Sequence, residues 1–307
     1  MRRRGTPTPA PLPQRRGVDP VRMRLPLDGE WATVAEYLAH RLPARLGERL
    51  DEMVRGGEIV ATDGPIDART PYRPGTSVWF HRDLPPEVPV PFPLDVLHRD
   101  ERLVVLDKPH FLATMPRGSH VVETALSRLR DELDLPALVP AHRLDRLTAG
   151  LVMFVADPAA RGAYQTLFRD RLVRKEYRAV APYRADLELP VTVRSRMVKV
   201  PGELAAWEEP GEVNAVSEVE LLERRGDLAL YRLLPHTGRT HQLRLHMCSL
   251  GVPITNDPIY PQVLPATVPD DFSAPLQLLA VGLDFTDPIT GRELSLRSRR
   301  TLSAWEA

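Results

Sequence analysis

One acid set among arginines is the first chemical feature of this chain. In AHRLDRLTAGLVMFVA (141–156), Asp145 lies between Arg143 and Arg146, ahead of a turn at Ala149-Gly150 and an apolar run that reads as a buried strand. Flanking cations favour the ionised carboxylate, the form that a nucleophile or base needs at neutral pH. The plain alternative is a loop aspartate that caps a turn or pairs with an arginine.

Two further stretches carry chemistry. In RKEYRAV (174–180), Lys175 and Tyr177 are two apart, so on a strand they share a face. A ring beside a cation suits stacking on a base near a phosphate; alone, the pair reads equally as a half-exposed tyrosine beside a snorkelling lysine. In HTGRTHQLRLHMCSLGVPITNDPIY (236–260), Gly238 allows a tight turn, and Thr237 or Thr240 can cap the helix that follows. Leu243, Met247 and Leu250 make its apolar stripe, and Arg239, His241, Arg244 and His246 lie off it. Residues 236–246 hold no acid. A helix start with two arginines is a phosphate or carboxylate site, or simply a surface helix with ordinary basic residues.

Other chemistries fit poorly. His241 and His246 are five apart, no H-E-x-x-H occurs, and one cysteine, Cys248, cannot build a thiolate metal site. No P-loop or Rossmann glycine pattern appears. A glycosidase normally needs two carboxylates, and only one is well placed here.

The elements that must position these residues follow from periodicity. Residues 1–28 are rich in Pro and Arg and read as a disordered basic arm. Residues 29–82 read as a small module: two helices, the first with Val34, Leu38 and Leu42 on one face, the second stopping at Gly56-Gly57. Short strands with turns at Asp63-Gly64 and Pro74-Gly75 follow. The module loosely resembles the alpha-L RNA-binding module. Residues 83–94 read as a proline-rich linker. Residues 95–307 read as one domain, with hairpin-linked strands outnumbering helices. That predicts an α+β fold whose mixed sheet is mainly antiparallel, flanked by helices.

Bulk composition is quiet. The 307 residues carry 41 basic and 41 acidic side chains. Charge is nonetheless uneven: residues 1–25 hold seven arginines against Asp19, and 142–178 hold eight basic residues against four acids. A local basic face can grip phosphates. Only three lysines occur, Lys108, Lys175 and Lys199, which reads as compositional drift; the survivors are candidates for positions where arginine cannot substitute. No stretch approaches the ~20 apolar residues of a membrane span, and no apolar run follows the basic N-terminus. With a single cysteine, the expectation is a cytoplasmic protein without membrane attachment.

Taken together, the motifs resemble the RluA-type pseudouridine synthase family over roughly residues 95–300. HRLDR-x-T-x-G-L (142–151), K-x-Y (175–177) and GRTHQLR-x-H (238–246) stand in the family's order, and DKP (107–109) matches an early strand ending. The resemblance implies the pseudouridine synthase fold and an isomerase of structured RNA that needs no metal and no cofactor. It implies Asp145 as the catalytic carboxylate, Tyr177 as the ring that stacks on uracil, and Arg244 as the cation that pairs with Asp145 and holds it. Arg143 would help open the RNA and fill the space of the extruded base. Leu151 and Leu243 would line the pocket, and Arg146, Lys175, Arg239 and His241 would grip substrate. Ala149 departs from the family's usual serine. The expected partner is RNA: ribosomal large-subunit RNA first, transfer RNA as the alternative, with the protein a monomer. The competing class is a non-catalytic RNA-binding or ribosome-assembly protein, which has no reason to keep Asp145 and Arg244 together.

Overall fold

The computed structural model describes residues 10–42, 44–265 and 271–306. The chain divides into two compact units, Met1–Glu87 and Val88–Ala307.

The N-terminal unit is β1 (Val21–Arg24), α1 (Val34–Arg41), α2 (Ala44–Arg55), β2 (Val60–Ala61), β3 (Gly64–Pro65) and β4 (Ser77–Phe80), with sheet order β1-β4-β2-β3. The start of α1 is a capping box: Thr33 Oγ1 accepts from the Glu36 N–H, and the Glu36 carboxylate accepts from the Thr33 N–H. Val34, Tyr37 and Leu38 from α1 meet Leu50, Met53 and Val54 from α2 over Ile59, Val78 and Phe80. Gly57, at φ +66°, ends α2. Part of the expected basic arm is ordered. Residues 21–24 pair with β4 along its length, because Val21 and Met23 alternate toward the apolar core while Arg22 and Arg24 face away. The arginines at positions 2–4 lie outside the described residues.

The larger unit is β5 (Asp95–Arg99), β6 (Leu103–Lys108), α3 (Ala125–Leu133), β7 (Val139–Pro140), β8 (Ala149–Val155), α4 (Arg161–Arg169), β9 (Arg174–Pro182), β10 (Val191–Val198), β11 (Trp207–Glu209), β12 (Ala215–Arg225), β13 (Leu228–Pro235), α5 (Gln242–Ser249), β14 (Leu278–Thr286), β15 (Glu293–Arg297) and α6 (Ser303–Glu306). Its sheet runs β11-β10-β12-β13-β9-β14-β8-β6-β5, with β15 on β14 and β7 on β8. Every pairing is antiparallel except β14 with β8. The expected α+β class with a mainly antiparallel mixed sheet is therefore the observed one. The linker is shorter than 83–94: Val90 is buried, and Phe92 and Leu94 pack on the same core, because their apolar side chains find the α3 face of the sheet.

All seven residues of β8 are buried because the sheet is covered on both sides there. Val152 and Phe154 meet Ala125, Leu126 and Leu129 of α3, whereas Leu151, Met153 and Val155 meet Tyr164 and Leu167 of α4. At its start, β8 runs against β14 so closely that a Cβ on Gly150 (φ +106°) would lie 2.2 Å from the Ala280 carbonyl oxygen. Only glycine fits, and this close pairing sets the path of the chain just after Asp145.

Candidate active site

Asp145 sits on a loop tied down on both sides. On one side, Thr114 Oγ1 donates to the Leu144 carbonyl (2.8 Å) and accepts from the Leu144 N–H (3.1 Å). On the other, the buried Lys108 ammonium donates to the Arg146 carbonyl (3.3 Å), and also to Pro109 O (2.9 Å) and Leu112 O (2.8 Å). The Thr148 N–H closes the turn onto the Asp145 carbonyl at 3.2 Å. Upstream, His142 Nε2 accepts from the Met153 N–H (3.1 Å) while its ring stacks on Phe168. Burial pushes His142 down to about 3, so the ring is neutral and a good acceptor. His110 Nδ1 donates to the Leu147 carbonyl at 2.7 Å, and burial lowers that ring to about 4.

Among the described residues, the Asp145 charge contributes to the shifted pKa of five side chains. Burial pushes Lys108 down to about 7 while Asp145 pulls it up. Burial and then Asp145 raise the Tyr177 phenol above its usual value, so it stays protonated at neutral pH. His241 is lowered by burial against the pull of Asp145. Burial raises Tyr260 to about 12, with Asp145 among the contributing charges. Burial opposes the Arg244 cation, but Asp257 and Asp145 outweigh it and its pKa is raised.

Arg244 has a different main partner from the one expected. Its Nε and Nη2 form a bidentate pair with Asp257 (2.7 and 2.6 Å), while its Nη1 stands 3.8 Å from Asp145 Oδ2. A guanidinium this deep, 2% exposed, takes the carboxylate that meets its fork squarely. Asp257 does so because it shares the same interior, whereas the Asp145 side chain remains 32% exposed. The α5 helix is not a surface helix either: Gln242, Arg244 and His246 are buried along with Leu243 and Met247.

The expected caps also differ. His241, at φ +60°, is the N-cap residue and makes no side-chain cap bond, so neither threonine caps the helix. Thr237 Oγ1 instead donates to Gln242 Oε1 (2.7 Å), which also accepts the Arg239 N–H (3.0 Å). The Gln242 side chain thus holds the loop before α5, and the Gln242 N–H donates to the Arg239 carbonyl (3.1 Å). Gly238 lacks a positive φ.

The remaining candidates divide. Lys175 donates to the Thr237 carbonyl (3.3 Å), which joins the K-x-Y strand to the loop before α5. Half-buried Tyr177 packs against the cluster that contains Leu243 and against the one behind Leu144. Arg239 is exposed and donates to Asn214 O, Arg146 donates to Phe111 O, and Arg143 is exposed. His241 is joined to the Tyr260 hydroxyl at 3.2 Å. Leu151 does not line the site. It belongs to the α4 face, because alternation on β8 turns it away from the face shared by Val152 and Phe154. Among the described residues, no three His, Cys, Asp or Glu side chains gather as a metal ligand set.

Sequence reasoning assigned no role to Thr114, His142, Asp257 or Tyr260. Of these, only the Asp257-x-Ile259-Tyr260 spacing of an Asx-type turn offered a signal.

The site is thus a pinned, half-exposed carboxylate beside an aromatic ring and a buried guanidinium, carried on a mixed, mainly antiparallel sheet. The family model described as RNA pseudouridylate synthase matches residues 102–249. The dual-specificity RNA pseudouridine synthase RluA of Haemophilus influenzae is 31% identical over 220 residues, covering 67% of this chain and 93% of that one. Ribosomal large subunit pseudouridine synthase D of Neisseria meningitidis is 27% identical over 256 residues, covering 78% of this chain and 66% of its own length. The fold is shared with human RNA pseudouridylate synthase domain containing 1, at a TM-score of 0.55 and 23% identity, covering 68% of this chain and 84% of that one. The chain belongs to the RluA-type pseudouridine synthase family and is an RNA pseudouridine synthase.

Proposed function

We propose that this enzyme isomerises uridines of ribosomal large-subunit RNA, with Asp145 as its catalytic carboxylate. The observation that carries the assignment is the Arg244 guanidinium 3.8 Å from Asp145, on a loop held by buried Lys108 and backed by Tyr177 against the Leu144 cluster, groups drawn from three distant parts of the sequence. The reaction breaks the bond from uracil N1 to ribose C1′ and forms one from C5 to C1′. A proton leaves C5 and N1 gains one, so nothing is oxidised. One ionised carboxylate can begin bond-breaking by attack or deprotonation. A ring that holds the detached base keeps water out. The target base must first leave its stack, at a cost of a few kcal/mol, which phosphate contacts from exposed Arg143 and Arg239 offset.

The ribosomal choice rests on coverage. Similarity to the large-subunit enzyme spans 78% of the chain, more than Val88–Ala307 can supply, so it reaches into the N-terminal unit. That unit, two helices on a small sheet with exposed arginines, is proposed as an RNA-binding module. Transfer RNA is the second reading, favoured by the dual-specificity relative.

Asp145→Asn is expected to abolish pseudouridine formation in ribosomal RNA while RNA binding survives, as read by pseudouridine mapping and a filter-binding assay. Full activity of that variant refutes the assignment. Modification confined to transfer RNA selects the second reading.

A further inference from the structure

The Arg244 guanidinium has three donor nitrogens and two carboxylates to serve. Asp257 takes Nε and Nη2 at 2.7 and 2.6 Å. Only Nη1 is directed to Asp145, at 3.8 Å. Because the guanidinium is planar and rigid, fixing one edge fixes where Nη1 points.

Asp257 is itself immobile. Its side chain is 0% exposed. Beyond the arginine, its Oδ1 accepts from the Ile259 N–H (2.9 Å) and the Tyr260 N–H (3.2 Å). Tyr260 then backs the assembly. Its ring stands 5.5 Å from the guanidinium carbon. Its hydroxyl accepts from the Ala206 N–H (2.8 Å) and donates to the Ala206 carbonyl (3.1 Å). That hydroxyl proton is therefore used, so His241 Nδ1 donates to it. The result is a chain of fixed groups, Ala206–Tyr260–Asp257–Arg244, that ends at Asp145.

We infer that Asp257 is a positioning residue of the isomerase: it aims Arg244 at Asp145 and, by holding two of its three nitrogens, keeps that arginine from closing onto the catalytic carboxylate. This rests on the reading of Asp145 as the group that performs the chemistry. A carboxylate clamped bidentately by arginine has one lone pair on each oxygen occupied and its orientation fixed. At 3.8 Å from a single nitrogen it keeps the positive field and stays free to meet the ribose or the base.

The test uses the full-length enzyme and a folded RNA fragment that contains a target uridine. Asp257→Asn leaves a buried guanidinium without its counter-charge and can fail to fold, so Asp257→Glu carries the experiment. Glutamate keeps the charge and moves the carboxylate by one methylene. The expected result is a kcat loss of about 10- to 100-fold, the size typical of supporting-shell changes, with KM and RNA affinity within about threefold. In an Arg244→Lys background, the added Asp257→Glu change is expected to cost less than about threefold, because the fork it positions is gone.

Wild-type kcat in Asp257→Glu overturns the inference. So does a loss that multiplies undiminished with Arg244→Lys, or one that appears only in KM. Asp145→Asn runs alongside: if it is active, the reading of Asp145 fails. If it is inactive while Asp257→Glu behaves as wild type, only the role of Asp257 fails.

Discussion

The interiors of the two units are built from different materials. Among the described residues, the N-terminal unit buries Leu25, Leu38, Met53, Ile59, Val78 and Phe80, and its one buried polar side chain is Ser77. The larger unit buries Asp107, Lys108, Gln242, Arg244, His246 and Asp257 within its apolar core. A buried charge does not in general stabilise a fold relative to a well-packed apolar residue. Yet each of these groups holds something. Asp107 accepts from the Ser298 hydroxyl and the Arg299 N–H. Lys108 ties the loop at Arg146, and Asp257 aims Arg244. One interior supplies stability, and the other spends part of it on position.

Substitutions sharpen that contrast. The largest effect belongs to Gly150→Ala, where the new Cβ meets the Ala280 backbone and the φ is unfavourable. A loss above about 4 kcal/mol is expected, visible in urea unfolding as failure to fold. A variant of normal stability would mean that β8 and β14 can separate without cost. Next comes Leu38→Ala, in the apolar interior, with an expected loss of about 2–5 kcal/mol and no partner left unpaired. A loss under 1 kcal/mol would deny that this unit is held by packing.

Tyr177 separates the two roles at one residue. Its half-buried ring packs on both clusters, and its phenol stays protonated. Tyr177→Phe is therefore expected to keep more isomerisation activity than Tyr177→Ala in a single-turnover assay, and equal loss would assign the work to the hydroxyl.

The smallest effect is a pH slope. In the fold, His142 titrates near 3 and His110 near 4, both below the ordinary histidine value of 6.5. The unfolded chain binds the extra protons, so stability is fully present above about 6.5 and is lost as pH falls toward 3. His142→Gln keeps an acceptor for the Met153 N–H and removes one of these protons. Chemical unfolding from pH 6 to 4 should show a shallower slope, by up to about 1.4 kcal/mol per pH unit. An unchanged slope would place His142 in water.

Much of this could be read from residues alone. The hairpin of β12 and β13 across Gly226-Asp227, and that of β14 and β15 around the turn at 288–291, follow from alternation and turn chemistry. The three motifs identified the chemistry because residue type and spacing are local properties. β10 and β11 escaped although Pro201-Gly202 and Pro210-Gly211 mark turns beside them, since the alternation of VTVRSRMV breaks at Ser195 and WEE is too short to show any. β1 was hidden among arginines, since four residues of alternation are too short to stand out.

What the sequence by itself determined was the inventory: a lone acid, a ring, a guanidinium and the order of the strands that carry them. Only tertiary structure decided the pairings. Periodicity shows that Arg244 lies off one apolar stripe, but not that a second wall covers the other side of α5 and brings Asp257 to it. Likewise it shows that Leu151 is buried, but not on which face. The physical reason is the same in both cases. A buried charge goes to whichever counter-charge the packing brings within hydrogen-bond reach, and a strand face is chosen by the helix that covers it, and both depend on contacts between residues far apart in the chain.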